Sequence, residues 1–261
     1  MFIVLSLLIV VAGLVIGSFL NVVIYRLPRG ESLWNPPSHC PVCGARILWY
    51  DNVPLLSFLL LAGRCRSCKK PISPRYPLVE GMCAVFFLLV LFRHLPFVFN
   101  PPFLLSFIKD LLFVSILIPV FFIDVEHQII PDSLSYGMLG IGLFLSGLLG
   151  NFLSSLTGAG AGAGIFLLIF YLSLVFLHQP GMGMGDVKLA AGIGAFLGLE
   201  AALLSFFLSF LSGALVAGIL VFFHIKRMKD KIPFGPFLVA GAFITLFLGK
   251  NILELYFTLF W

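Results

Sequence analysis

Charge is what this chain has least of. Only 10% of its 261 residues are Asp, Glu, Lys or Arg, and 11 of them are acidic, whereas 61% are hydrophobic and the mean hydropathy is +1.14. Soluble domains carry roughly 25% charged residues, so a water-soluble globule is excluded and a polytopic helical membrane protein is implied. The polar residues are confined as well, residues 26–76 forming the one sizeable polar stretch. The basic residues are dispersed and lack interleaved aromatics, which argues against nucleic acid as a partner despite the net charge of +5. Cysteine is sparse, five in all, yet four of the five fall inside that polar stretch.

A membrane-spanning helix needs about 20 predominantly apolar residues. Eight candidate spans follow, near residues 2–25, 77–95, 106–123, 133–150, 160–178, 187–200, 203–224 and 236–259. The sixth is short and rich in Gly and Ala, and could form a tight hairpin with the seventh. The first lacks a basic leader, is long, and is followed directly by Arg26 and Arg29, so it is expected to persist as an anchor rather than be removed. The expected fold is an all-α membrane protein: a first transmembrane helix over 1–25, a small four-cysteine domain over 26–76 and a membrane core over 77–261.

Thirteen of the 16 Lys and Arg, all but Arg93, Lys109 and Lys250, gather on one side of these spans. They lie in the loop after the first span, in Lys226, Arg227, Lys229 and Lys231 before the last, and at Lys188. The positive-inside rule places that side in the cytoplasm and the amino terminus outside.

The polar loop carries Cys40-Pro-Val-Cys43 and Cys65-Arg-Ser-Cys68, two knuckles 21 residues apart. Each knuckle can direct two thiolates at one ion, and two knuckles complete a closed, structural four-cysteine zinc site. A pair of disulfides is the alternative, but a cytoplasmic loop is a reducing place for them. Metal binding would supply folding energy to a loop with little core of its own. Cys83 falls inside the second span and is expected to pack there.

Two acids remain where apolar runs meet short polar turns: Asp124, in Phe-Phe-Ile-Asp-Val-Glu-His-Gln-Ile-Ile-Pro-Asp, and Asp186, in Gly-Met-Gly-Met-Gly-Asp-Val-Lys. Ionisable groups so close to hydrocarbon are costly and mark a functional site. Two spans separate them, which returns the chain to the same, cytoplasmic, face. If the third and sixth spans pack together, the two carboxylates share one pocket and one proton, an arrangement suited to peptide hydrolysis without metal or nucleophilic Ser. The helix dipole favours Asp186, opening its helix, as the ionised base.

Other features have ordinary explanations. Gly181, Gly183 and Gly185 let the backbone bend and approach substrate; no preceding strand supports a phosphate loop. Lys188 is expected to snorkel to the interface. Asp132 or Ser133 is expected to cap a helix. Glu126 and His127 are expected in a solvated turn, and His94, His178 and His224 at span ends. Gly158/Gly162 and Gly160/Gly164 offer small surfaces for close helix contact, and Pro233-Phe-Gly-Pro236 reads as a turn.

In order and combination, several motifs resemble those of the bacterial type IV prepilin peptidases. They are Gly17-Ser-Phe-Leu-Asn-Val-Val-Ile-Tyr-Arg-Leu-Pro28, both cysteine knuckles, Arg75-Tyr-Pro-Leu-Val-Glu80, Ile123-Asp-Val-Glu-His-Gln-Ile-Ile-Pro-Asp132, Gly181-Met-Gly-Met-Gly-Asp-Val-Lys188 and Ile232-Pro-Phe-Gly-Pro236. That resemblance implies an aspartic membrane endopeptidase of the Gly-x-Gly-Asp type, with Asp124 and Asp186 catalytic. It implies removal of a basic leader from type IV prepilins or type II pseudopilins at the inner-membrane face, then methylation of the new amino terminus with S-adenosylmethionine. It does not locate the pocket for that methyl donor. The alternatives are a peptidase without methyl transfer and a proton-coupled transporter. Against a transporter stand two acids on one face, no visible inverted repeat and a zinc module without an evident role in transport.

Overall fold

A computed structural model of the chain describes residues 2–95, 101–179, 181–225 and 232–260. The basic cluster Lys226, Arg227, Lys229 and Lys231 lies outside the described residues. The described chain is helical: α1 (Phe2–Arg26), a short α2 (Leu56–Leu60), α3 (Arg75–His94), α4 (Pro101–His127), α5 (Asp132–Leu148), α6 (Phe152–Leu177), α7 (Met184–Leu197), α8 (Leu199–Phe222) and α9 (Gly235–Phe260). Apart from α2, these lie at the eight expected positions. Six of them, α1, α3, α4, α6, α8 and α9, are long and apolar enough to cross a membrane. The other two are shorter, α5 with 17 residues and α7 with 14.

The chain divides into two compact units, Met1–Pro119 and Val120–Trp261, with the boundary inside α4. In the first, α1 and α3 pack along a small-residue seam. A Cβ on Gly17 would sit 2.7 Å from the Cα of Glu80 and 3.1 Å from the Cβ of Cys83, so the helices touch at backbone distance. Cys83 is fully buried in that seam, as a small packing residue should be. His94, expected as an interface residue, instead holds Asp110 at 2.9 Å beside Arg93 at 3.4 Å.

The second unit is organised around α7. From Asp186 to Gly198 no residue of this segment is exposed. Its Gly and Ala content is what permits such enclosure: a Cβ on Gly158 of α6 would fall 2.5 Å from the Gly194 carbonyl oxygen, and Gly162 is pressed as closely on the Ala190 carbonyl. Gly160 and Gly164 face open space, so only one of the two four-residue pairs makes the seam. Met138 of α5 covers Gly192 on another side, and Ser146 Oγ donates to the Ala195 carbonyl at 3.3 Å. The expected hairpin between the sixth and seventh spans is not formed as a packed pair: α7 lies mainly against α5 and α6, and α8 mainly against α9. Gly198 alone joins α7 to α8, at φ +78°, which a residue with a side chain rarely adopts.

Candidate functional site

The two knuckles of the polar loop are built alike. In the first, the Cys40 N–H donates to Ala45 O and the Gly44 N–H to Cys40 O, both at 2.9 Å; in the second, Cys65 donates to Lys70 O at 2.9 Å and Lys69 to Cys65 O at 3.0 Å. Each turn closes through a residue of positive φ directly after its second cysteine, Gly44 at +69° and Lys69 at +59°. The result brings Cys40, Cys43, Cys65 and Cys68 together, with all four Sγ atoms within 4.8 Å of one another and Cys40 to Cys68 at 4.0 Å. A tetrahedral ion with metal–sulfur bonds of about 2.3 Å sets its sulfurs roughly 3.8 Å apart, so the donor set fits a metal ion. Arg66 grips Asp51 through two 2.7 Å bonds and ties the second knuckle to the 3₁₀ turn at Trp49–Asn52.

The second unit assembles the two singled-out acids. Asp124 stands in the last turn of α4, which continues to His127 rather than ending at 123, and is 4% exposed. Asp186 is the third residue of α7 and 7% exposed. It closes its own helix start, Oδ2 accepting the Gly183 N–H at 3.0 Å while its own N–H donates to the Gly183 carbonyl at 3.1 Å. The Asp124 charge is the least of the influences on the Asp186 carboxyl, after burial and the Gly183 N–H, and α4 does not pack along α7 as a helix pair. Asp124 Oδ2 is buried and makes no hydrogen bond of good geometry among the described residues, while the Gly235 backbone N–H lies close enough to act on the carboxyl. Gly185 places its Cα against Ile130, and the Gly181 N–H donates to the Ser173 hydroxyl oxygen at 2.8 Å, so two of the three loop glycines lie at close contacts.

One residue of this site was not evident from sequence. Gly235, the first residue of α9, lies against Asp124: a Cβ there would be 2.5 Å from Oδ2 and 3.0 Å from Cγ. Its neighbour Phe234 is held by Phe210 at 5.2 Å and Phe166 at 6.1 Å between ring centres, fixing the approach. The Pro-Phe-Gly-Pro segment is thus more than a turn. The only signal for it was its place among the family-like motifs. Lys188 and Asp132 also depart from expectation. The Lys188 ammonium meets Asp132 Oδ1 at 2.7 Å and lies 5.2 Å over the Tyr136 ring, while Asp132 makes no cap bond at the start of α5. A salt bridge between α5 and α7 replaces both the snorkelling lysine and the cap.

Residues 11–94 match the model of the bacterial peptidase A24 N-terminal domain, and residues 111–218 that of the type IV leader peptidase family. The chain is 36% identical to the prepilin leader peptidase/N-methyltransferase of Aeromonas hydrophila over 275 residues, covering 95% of this chain and 92% of that protein. It is 35% identical to the protein of the same name from Pseudomonas aeruginosa over 272 residues, covering 95% and 91%. It is 41% identical to that of Myxococcus xanthus over 213 residues, covering 81% and 61%. No solved structure matches it significantly.

Proposed function

The chain belongs to the type IV leader peptidase family, and from that premise we propose that it removes the basic leader of type IV prepilins or type II pseudopilins and methylates the amino terminus so exposed. Asp124 and Asp186 form the hydrolytic pair. What supports this reading is the burial of both carboxyls within one unit, Asp124 in the last turn of α4 and Asp186 in the first turn of α7.

Like charges so placed do not both ionise readily, so the pair holds one proton. Asp186, at the positive end of α7, is the ionised base. It takes a proton from water as that water attacks the scissile carbonyl, while protonated Asp124 donates a hydrogen bond to the carbonyl oxygen. Collapse of the tetrahedral species passes a proton to the departing amine and restores the shared-proton state. Gly235 holds Asp124 in place, and Gly183 holds Asp186.

The freed amine is then methylated, with S-adenosylmethionine as donor. When bound, that donor would supply an electrophilic methyl group to the freed amine. The four cysteines hold a structural zinc that orders the polar loop. By the positive-inside rule, the distribution of basic residues supports a bacterial inner-membrane orientation with the polar loop in the cytoplasm and the amino terminus outside, and the even number of expected spans between Asp124 and Asp186 supports a cytoplasmic-face dyad. A prepilin keeps its charged leader on that side and its apolar helix in the bilayer, so the cut site and the dyad share a depth.

Intact-mass measurement of a prepilin incubated with the protein tests this. The product should lose its leader and gain one methyl group. Asp124→Ala and Asp186→Ala should each lower cleavage at least about a thousandfold at unchanged abundance, and each should still methylate a pre-cleaved pilin. Retained cutting by either variant would remove that residue from the pair. A leader left attached by the unaltered protein would favour the transporter alternative, and cleavage without added methyl the peptidase alone.

A further inference from the structure

The cysteine module is apolar on parts of its outside, where a polar loop in water should not be. Trp49 is 82% exposed, and Leu56, Leu59 and Leu60, one face of α2 at helical spacing, are 52%, 73% and 76% exposed. α2 packs against the 3₁₀ turn that carries Trp49, so the leucines and the indole lie on adjoining elements. Trp34, 86% exposed, stands beside α1, its ring centre 6.3 Å from that of Phe19. Single exposed apolar residues are ordinary, but a group of them marks a protein or membrane contact.

Two tethers set the depth of these residues. The Leu55 N–H, directly before α2, donates to Glu80 Oε2 at 2.8 Å, and Glu80 lies about 7.5 Å along α3 from Arg75 at about 1.5 Å per residue. By the same measure Phe19 lies about 10 Å before Arg26, where α1 ends. Both helices are long and apolar enough to cross a membrane. The module therefore doubles back over the ends of α1 and α3, which brings its apolar elements to the level of lipid headgroups and the first acyl carbons.

Charge agrees with that placement. No acidic residue occurs from Asn52 to Val79, while Arg64, Lys69 and Lys70 are exposed around the second knuckle. Asp51, the acid that precedes this stretch, is held by Arg66 at 2.7 Å. An apolar edge beside exposed cations complements an anionic leaflet.

We infer that the cysteine module is an interfacial membrane-binding element, with α2 and Trp49 inserted in the leaflet beside the ends of α1 and α3 and with Arg64, Lys69 and Lys70 on anionic phospholipid headgroups. Trp34 enters the same interface. A second copy of the chain fits less well, because the Trp34 side runs on into Phe19 and Val15, exposed one turn apart on a spanning helix that lipid must cover.

Full-length protein in phosphatidylglycerol nanodiscs provides the test, with Trp34→Phe and Trp261→Phe leaving Trp49 as the one indole. Lipid brominated near the headgroup end of its acyl chains should lower Trp49 emission at least about twofold, as expected for side chains sunk about 5–10 Å into the interface, while aqueous acrylamide should quench it little. Lys69→Gln with Lys70→Gln should weaken the bromolipid quenching. A carbene photolabel confined to the bilayer needs no variant and should mark peptides from residues 49–60 of the unaltered chain. Trp49 quenched by acrylamide but not by bromolipid, or no label in residues 49–60, would put the module in water and overturn the inference. An indole shielded from both quenchers would overturn it in favour of a covering protein surface, and quenching indifferent to the two lysines would remove the headgroup contact.

Discussion

Replacing Gly235 by Ala adds one methyl group at the point where α9 meets Asp124. The new Cβ would stand 2.5 Å from Oδ2, whereas ordinary contacts begin near 3.4 Å, so the carboxyl must retreat by about 1 Å or α9 must shift by as much. The aromatic packing of Phe234 against Phe166 and Phe210 opposes the second response. Misplacing a catalytic group by about 1 Å can cost on the order of a hundredfold in rate, or about 2.7 kcal/mol of barrier. Stability should not suffer, since Ala is the better helix former and Gly235 does not occupy the left-handed region. The assay is kcat/KM for leader removal from a purified prepilin in detergent, followed by gel shift. Gly160→Ala on the open face of α6 serves as the control, because its Cβ would meet nothing within 4 Å. Cleavage by Gly235→Ala within threefold of the unaltered enzyme would refute the positioning role.

Two further outcomes test the scaffold. Elemental analysis should find one zinc per chain, reduced in Cys65→Ser, and chelation should speed proteolysis between residues 26 and 76; unchanged protease resistance after the metal is stripped would defeat the structural-zinc assignment. Gly162→Leu should destabilise the protein by about 1–3 kcal/mol through overpacking against α7, seen as a lower unfolding temperature in detergent, whereas Gly160→Leu should leave that temperature unchanged; equal behaviour of the two would contradict the α6–α7 seam.

Much of this architecture was legible because membrane insertion writes itself locally. Apolar runs located the six long helices and the shorter α5 and α7 among the described residues, and the spacing of Cys40, Cys43, Cys65 and Cys68 announced their convergence, since each knuckle is a local turn. Asp124 and Asp186 stood out because a carboxyl beside hydrocarbon is expensive. Contacts between distant segments were harder. Lys188 and Asp132 are 56 positions apart, and nothing in either neighbourhood declares the other, so local roles as interface lysine and helix cap took precedence. Gly235 was hidden for a related reason: Pro and Gly already explain a turn, and their local sufficiency masked a contact with a helix more than a hundred residues earlier.

The enclosure of α7 bears on how the protein responds to its host lipid. Fourteen residues of helix extend about 21 Å, well short of a hydrocarbon layer of about 30 Å, yet this mismatch is never presented to acyl chains because α5 and α6 clad the segment. A membrane that thickens or thins must be accommodated by the outer helices, through tilt or local lipid adjustment. The acid at the head of α7 is registered to protein backbone instead, so its depth is set by its neighbours' glycines and travels with the bundle between membranes of different composition.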